Sequence, residues 1–227
     1  MGRIRTLADL RTEVRERADV RPNYVDDDEL NRMLNGSLAE LYDLLVTVNQ
    51  DYYIAEGNFP TTPGVDSYAL PVNFYKLLGV DIQDSATWYP VRRFNFSERF
   101  QFQDAGSEPR TAAYRVMGDN LLIRPIPQYT NNIRAWYIPS PPILSEPAPP
   151  GIDTWDGFAG WEEYAVLDVC LKLAAKQEED TTAFYGGKKD ITRRIQLAAP
   201  DRDDGEPDRV RDIYQELAGT DQNGWPP

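Results

Sequence analysis

Apolar side chains recur with a helical period early in the chain. Leu30, Leu34, Leu38, Leu41, Leu45 and Val48 fall on one face at that spacing, and Met33 and Tyr42 widen it. Asp26, Asp27, Asp28 and Glu29 put negative charge where a helix N-terminus favours it, so a long helix from about Asp27 to Val48 is expected. This acidic run reads as a capped helix start, not a metal site. An EF-hand loop needs alternating ligands, a glycine and a distal Glu, and the run supplies none of these. Upstream, Thr6 followed by Asp9 resembles a capping box and opens a charged helix through about Ala18, which Arg21-Pro22-Asn23 breaks.

From about Gln50 the period changes. Short segments near 51–55, 66–70, 74–82, 86–94, 113–117, 120–124 and 131–138 are rich in aromatic and β-branched residues and separated by turn residues. Asp66 to Leu70 looks like a strand closed by Pro71, and Phe74 to Ile82 like a buried strand. Tyr114 to Met117 and Leu121 to Arg124 read as a hairpin with the three-residue loop Gly118-Asp119-Asn120. Ile133, Ala135 and Tyr137 alternate with Arg134, Trp136 and Ile138, with both faces partly apolar. Asn95 to Gln103 suggests a short surface helix. The set predicts a small antiparallel β-sandwich or barrel.

Pro139, Pro141, Pro142, Pro147, Pro149 and Pro150 crowd the next stretch, which must be extended and is read as a semi-rigid strap. Helix returns with Trp161, Tyr164, Ala165, Leu167, Asp168, Leu171 and Ala174-Ala175, running to about Lys176. A further helix from Asp180-Thr181-Thr182 carries Phe184, Ile191, Ile195 and Leu197. Gly186-Gly187 is expected to interrupt it and leave Lys188-Lys189 as an exposed basic pair. The predicted class is therefore α+β. Residues 1–50 and 155–199 form a helical bundle, 51–138 an inserted β domain, 139–154 the Pro-rich strap, and 200–227 an extended C-terminal docking arm.

That arm opens with Asp201-Arg202-Asp203-Asp204-Gly205-Glu206-Pro207-Asp208, which has no apolar residue and must be solvated. Val210, Ile213, Tyr214 and Leu217 then make an apolar face too short to be stable alone, and Trp225 stands near the end. A frayed terminus is the plain alternative. Large apolar anchors along a polar segment suit a disordered arm that grips a partner groove, and burying on the order of 1,000 Å² would offset its ordering.

Composition narrows the chemistry. The 227 residues contain no histidine, which removes the commonest general base, metal ligand and nucleophile partner. The single cysteine, Cys170, lies in an apolar run and reads as an inert buried thiol. Neither GxGxxG nor GxxxxGK[ST] occurs, and no cofactor, metal or catalytic site is expected. Glu162-Glu163 beside Trp161 is the nearest approach to an acid–aromatic sugar site, but adjacent helical residues diverge. Trp88, Tyr89, Trp136, Tyr137 and Trp155 could form an aromatic platform, although core and subunit-contact roles fit them better. Arg92, Arg93, Arg99, Arg110, Arg115, Arg124 and Arg134 suit ion pairs across subunit contacts, or a contact with a neighbouring acidic ring, better than base readout. The net charge of -13 disfavours wrapping duplex DNA but not conducting it through a negative hole. Met1 to Thr6 shows no apolar signal region and no stretch reaches the ~20 apolar residues of a membrane span, so a soluble, non-secreted protein is expected.

Several stretches taken together resemble a known family. Asp28-Glu29-Leu30-Asn31-Arg32-Met33-Leu34-Asn35 lies in the long helix, and Tyr68-Ala69-Leu70-Pro71-Val72-Asn73-Phe74 follows it. Tyr114-Arg115-Val116-Met117-Gly118-Asp119-Asn120-Leu121-Leu122-Ile123-Arg124-Pro125 and Trp161-Glu162-Glu163-Tyr164-Ala165 come next, ahead of a polar tail. This layout, over roughly residues 5–199, resembles the head-to-tail adaptor (connector) proteins of tailed bacteriophages, particularly the short-tailed type. The resemblance implies a structural, non-enzymatic virion protein assembled in the host bacterial cytoplasm. It implies a ring, commonly of twelve copies, beneath the portal protein, with genomic DNA passing through its channel and a downstream tail or nozzle protein below. Portal docking would then fall to Val210, Ile213, Tyr214, Leu217 and Trp225. A carbohydrate-binding or hydrolysing β module and a tail-terminator or completion ring are the competing readings.

Overall fold

A computed structural model describes residues 5–102, 111–146, 152–158 and 160–199. Among these the protein is mixed α+β, with four α-helices and two four-stranded sheets. Helix α1 spans Leu7–Arg17 and is opened by the full capping box, Thr6 accepting from the Asp9 backbone N–H and Asp9 from that of Thr6. Helix α2 spans Asp27–Val48, with the Asp26 carboxylate accepting from the Glu29 N–H at its start. Both match the sequence expectation, because caps and an unbroken apolar stripe are local signals.

The strands are β1 (Ala55–Pro60), β2 (Ser67–Ala69), β3 (Phe74–Asp84), β4 (Thr87–Pro90), β5 (Arg92–Arg93), β6 (Ala113–Met117), β7 (Asn120–Arg124) and β8 (Asn132–Pro139). One sheet has the order β1-β8-β3-β4 and the other β2-β7-β6-β5. Residues 51–53 form a 3₁₀ turn, so the first strand starts later than the segment expected at 51–55. The segment 86–94 is split: β4 pairs with β3 in the first sheet, and beyond Val91 the chain crosses to β5 in the second. Proline at position 90 and the buried Val91 mark that crossing. β5 runs parallel to β6, a departure from an all-antiparallel set. The hairpin of β6 and β7 turns on two residues, not three, since Asn120 pairs with Met117. Gly118 takes φ +60°, as such a tight turn demands. Around Asn95 only a 3₁₀ turn forms, Phe96–Glu98.

Strand β3 was expected to be a buried strand, and its apolar residues divide between two clusters. Its register against β8 shifts between Phe74 and Lys76 and again between Leu77 and Gly79. Each bulge flips the side-chain parity. Phe74, Leu77, Val80 and Ile82 therefore all pack into the cluster shared by the two sheets, while Leu78 turns to the helical core. Tyr75 and Lys76 are exposed, so the strand is only partly buried.

Helices α3 (Glu163–Lys176) and α4 (Thr182–Ala198) pack with α1 and α2 on one core that includes Leu7, Leu34, Leu41, Val169 and Ile195. The expected interruption at Gly186-Gly187 does not occur: α4 runs through it. A Cβ on Gly187 would sit 3.2 Å from a Leu167 methyl, so the glycine lets α4 lie close against α3. Nor is Lys188 free, since it is bound to Asp168.

The proline-rich stretch is docked where it is described. Leu144 is buried in the helical core, and Asn35 on α2 holds its backbone at both ends: Leu144 N–H donates to Asn35 Oδ1 at 2.8 Å, and Asn35 Nδ2 donates to the Leu144 carbonyl at 2.9 Å. Replacing Asn35 with Ala is expected to cost about 1–3 kcal/mol, since both Leu144 groups lose their partner. Thermal melting should fall by roughly 2–4 °C for each kcal/mol in a chain of this size. An unchanged melt would mean that the strap is held by other contacts.

Candidate partner-binding surfaces

The described residues offer no cluster of His, Cys, Asp or Glu that could hold a metal ion. Their most concentrated charge lies between helices. Asp168 is on the apolar side of α3 and only 2% exposed. Its carboxylate accepts from Lys188 Nζ on α4 at 2.5 Å, Lys172 Nζ on α3 at 2.6 Å and Ser37 Oγ on α2 at 2.5 Å. Glu40 on α2 adds a second carboxylate, 3.1 Å from Lys172 and 3.5 Å from Lys188. Three helices are thereby tied at one point. Burial alone would push the Asp168 carboxyl up, but hydrogen bonds from Lys172, Lys188 and Ser37 outweigh it and hold the pKa below the usual carboxylate value. Burial likewise works against the Lys188 ammonium, yet the hydrogen bond and charge of Asp168 keep its pKa above that of an ordinary lysine. With every charge of the group engaged by another, the arrangement holds helices in place and offers no open acid or base.

An aromatic cluster joins the helices to the sheets. Tyr42, Tyr53, Trp155 and Phe158 meet edge-on or tilted, with Trp155 and Phe158 ring centres 4.3 Å apart. Tyr42 OH donates to the Pro139 carbonyl at the end of β8, and Tyr53 OH to Gly157 at 2.9 Å. Trp155 is thus a core residue. Trp88 and Trp136 lie instead beside Arg134, whose guanidinium is 4.3 Å above the Trp88 ring, and Trp136 Nε1 donates to Asp81 at 2.7 Å. The five aromatics considered as a platform are therefore not one surface. Glu162 and Glu163 diverge as expected: Glu162 is buried and accepts from Gly160 N–H, while Glu163 pairs with Arg17.

On the second sheet an arginine–phenylalanine patch faces outward. Arg99 lies 4.5 Å from the Phe96 ring centre and 4.4 Å from that of Phe100, and Arg115 approaches Phe96 from the strand. Phe96, Phe100 and Met117 are exposed beside it. In place of the surface helix expected over Asn95 to Gln103, the described part of that stretch forms a 3₁₀ turn, and the crowding of Phe96, Arg99, Phe100 and Phe102 is the sequence signal of this patch. Exposed aromatics capped by arginine are the composition that protein interfaces favour. Among the other arginines, Arg124 pairs with Asp66 at 2.7 Å and Arg134 with Glu56 at 3.4 Å within the chain. Arg110 is outside the described residues.

The residues expected to dock on a partner, Val210, Ile213, Tyr214, Leu217 and Trp225, also lie outside the described residues. Cys170 is fully buried, and burial pushes its thiol up to about 11, as an inert core cysteine requires. No described helix is long and apolar enough to cross a membrane.

A mixed α+β body with interlocked helical charges and an outward aromatic–arginine patch defines a protein organised for contact with other proteins. The SU10 adaptor protein family model matches residues 5–212, and the chain belongs to that family of phage head-tail adaptors. No curated protein matches the chain. The family implies a virion component that interacts with portal and tail proteins and oligomerises.

Replacing Asp168 with Asn leaves two ammonium groups without their main anion. The expected loss at pH 7 is about 2–4 kcal/mol, discounted from the ~3–5 of a fully buried pair because both lysines reach solvent. The lowered carboxyl pKa contributes stability above the unfolded value of 3.8, and that share is lost as pH falls through the lower folded value. The Asn variant should therefore melt lower at neutral pH and show a shallower acid decline below about pH 4 than the wild type. Parallel acid titrations of the two chains would refute the role given to this carboxylate.

Proposed function

We propose that this chain is a non-enzymatic structural subunit of the head-to-tail junction, forming a ring of about twelve copies beneath the portal, a size taken from the adaptor layout rather than from buried area. The observation that carries the reading is the family match, which runs past the last residue of α4 and into the first part of the arm, to residue 212. In this reading the four helices act as one bundle built from 1–50 and 155–199. The two sheets over 51–138 are an inserted β-sandwich, 139–154 is the strap, and 200–227 is the docking arm. Val210, Ile213, Tyr214, Leu217 and Trp225 are the anchors that engage the portal. An arm that reaches from one ring to the other couples the two, because its second contact is made at high effective concentration. The excess of 37 acids over 24 bases lets DNA slide through a channel without adhering. The lower face receives the next tail or nozzle component.

Deleting residues 200–227 tests the arm. The truncated chain should lose co-sedimentation with the portal ring while keeping its helical circular dichroism and melting temperature. Portal binding at wild-type strength by that truncation would remove the arm from the proposal.

A further inference from the structure

Most basic side chains on the helices sit against carboxylates. Arg15 reaches Asp27 at 2.6 Å, Lys176 reaches Glu29 at 2.7 Å, and Lys172 and Lys188 share Asp168 and Glu40. Among the described residues, Lys189, Arg193 and Arg194 of α4 have no such partner; Arg194 lies over the Trp161 ring instead, which leaves Lys189 and Arg193 as the pair without a contact of either kind. They stand one helical turn apart on an exposed face. Tyr185, 63% exposed, lies one turn before them, Gln196 lies close to one turn after, and Thr192 and the Asp168-bound Lys188 complete the shallow surface they line. Two like charges at this spacing disfavour a helix, and this one already carries Gly186 and Gly187 in its interior. In a chain of net charge -13, a basic pair flanked only by Asp190, with no carboxylate bound to it, is a local conflict of the kind that marks a contact surface.

The chain supplies its complement. Asp201, Asp203, Asp204, Glu206 and Asp208 oppose the single Arg202 in the segment that follows α4. Lys189 and Arg193 are ~6 Å apart along the helix axis, at ~1.5 Å per residue. Acids two positions apart on an extended chain are separated by ~6.6 Å on the same side, so Asp204 and Glu206 match that pair. A return onto the same α4 would require reversal directly after Ala199, whose N–H still bonds to Ile195. It would also lay Asp201 and Asp203 near that helix's own carbonyl end, which repels anions.

We infer that the Tyr185–Lys189–Arg193–Gln196 face of α4 receives the acidic segment 201–208 of a neighbouring copy of this chain. The contact is heterologous, each copy giving a segment and taking one, which is how a ring closes. It rests on the ring reading above and deepens it. The first eight residues after Pro200 hold the adjacent subunit, which leaves Val210 to Trp225 to reach the next layer.

Full-length chains with reversed charge test this. One variant carries K189E and R193E, and the other D203K, D204K and E206K. Concentration-dependent association of the wild type, followed by sedimentation velocity at low salt, should weaken by roughly tenfold or more in each variant alone. It should also weaken as added salt shortens the screening length. An equimolar mixture of the two variants should regain association, because every segment then meets an opposite face. A chain with R21E and R32E, an equal charge change on α2 and the loop before it, should neither weaken association nor rescue the segment variant. A mixture that stays monomeric points to own-chain docking and overturns the inference. So does a wild type that remains monomeric to its solubility limit, or association indifferent to both variants. Portal co-sedimentation is scored separately: if it persists while the mixture fails, the inter-copy contact falls and the adaptor reading stands.

Discussion

Strand β8 has two faces that need different partners, and the arrangement of the body follows from that constraint. It lies inside its sheet, bonded to β1 on one side and β3 on the other. Ile133 enters the cluster between the sheets, whereas Ile138, a few residues on, enters the helical core. A strand with Ile133 committed to one cluster and Ile138 to the other cannot slip register by one residue without withdrawing both. The Tyr42 hydroxyl on the Pro139 carbonyl and the bulges of β3 complete the join. Helices and sheets are thus held in one relation, and any contact surface made from both keeps its geometry.

Within the helical part, charge is used in two ways. Asp168, Lys172, Lys188 and Glu40 neutralise one another across three helices, and the burial of Asp168 makes it costly to leave that carboxylate unpaired. Lys189 and Arg193 on the next turns of α4 lack such balance and face outward. The same helix thus serves the interior with one side and is proposed to serve a neighbour with the other. The arginine–phenylalanine patch on the second sheet is a further outward surface, chemically distinct because its cations are stacked on rings rather than paired with acids.

Adaptor proteins need little chemistry and much positional accuracy, and the described residues fit that requirement. Asp168 is held by the two lysines and the serine around it, and Cys170 is pushed up by burial. The free energy of the fold is directed to holding surfaces in place.

The sequence alone determined what depends on near neighbours. The capping box at Thr6, the Asp26 cap and the stripe from Leu30 to Val48 placed two helices correctly, because hydrogen bonds three residues apart and a 3.6-residue period need no distant partner. The quoted stretches also carried the family resemblance that the match over residues 5–212 established. What the letters could not show were outcomes of long-range contact. Gly186-Gly187 looked like a helix break, but its meaning depended on the Leu167 side chain pressing against α4. Lys188 looked exposed because its partner Asp168 lies on another helix, and nothing in the letters of β3 marks the two bulges that divide its apolar residues between two clusters. Tertiary packing decided these points, since burial and a partner's charge change the energy of a residue by more than its local propensity does.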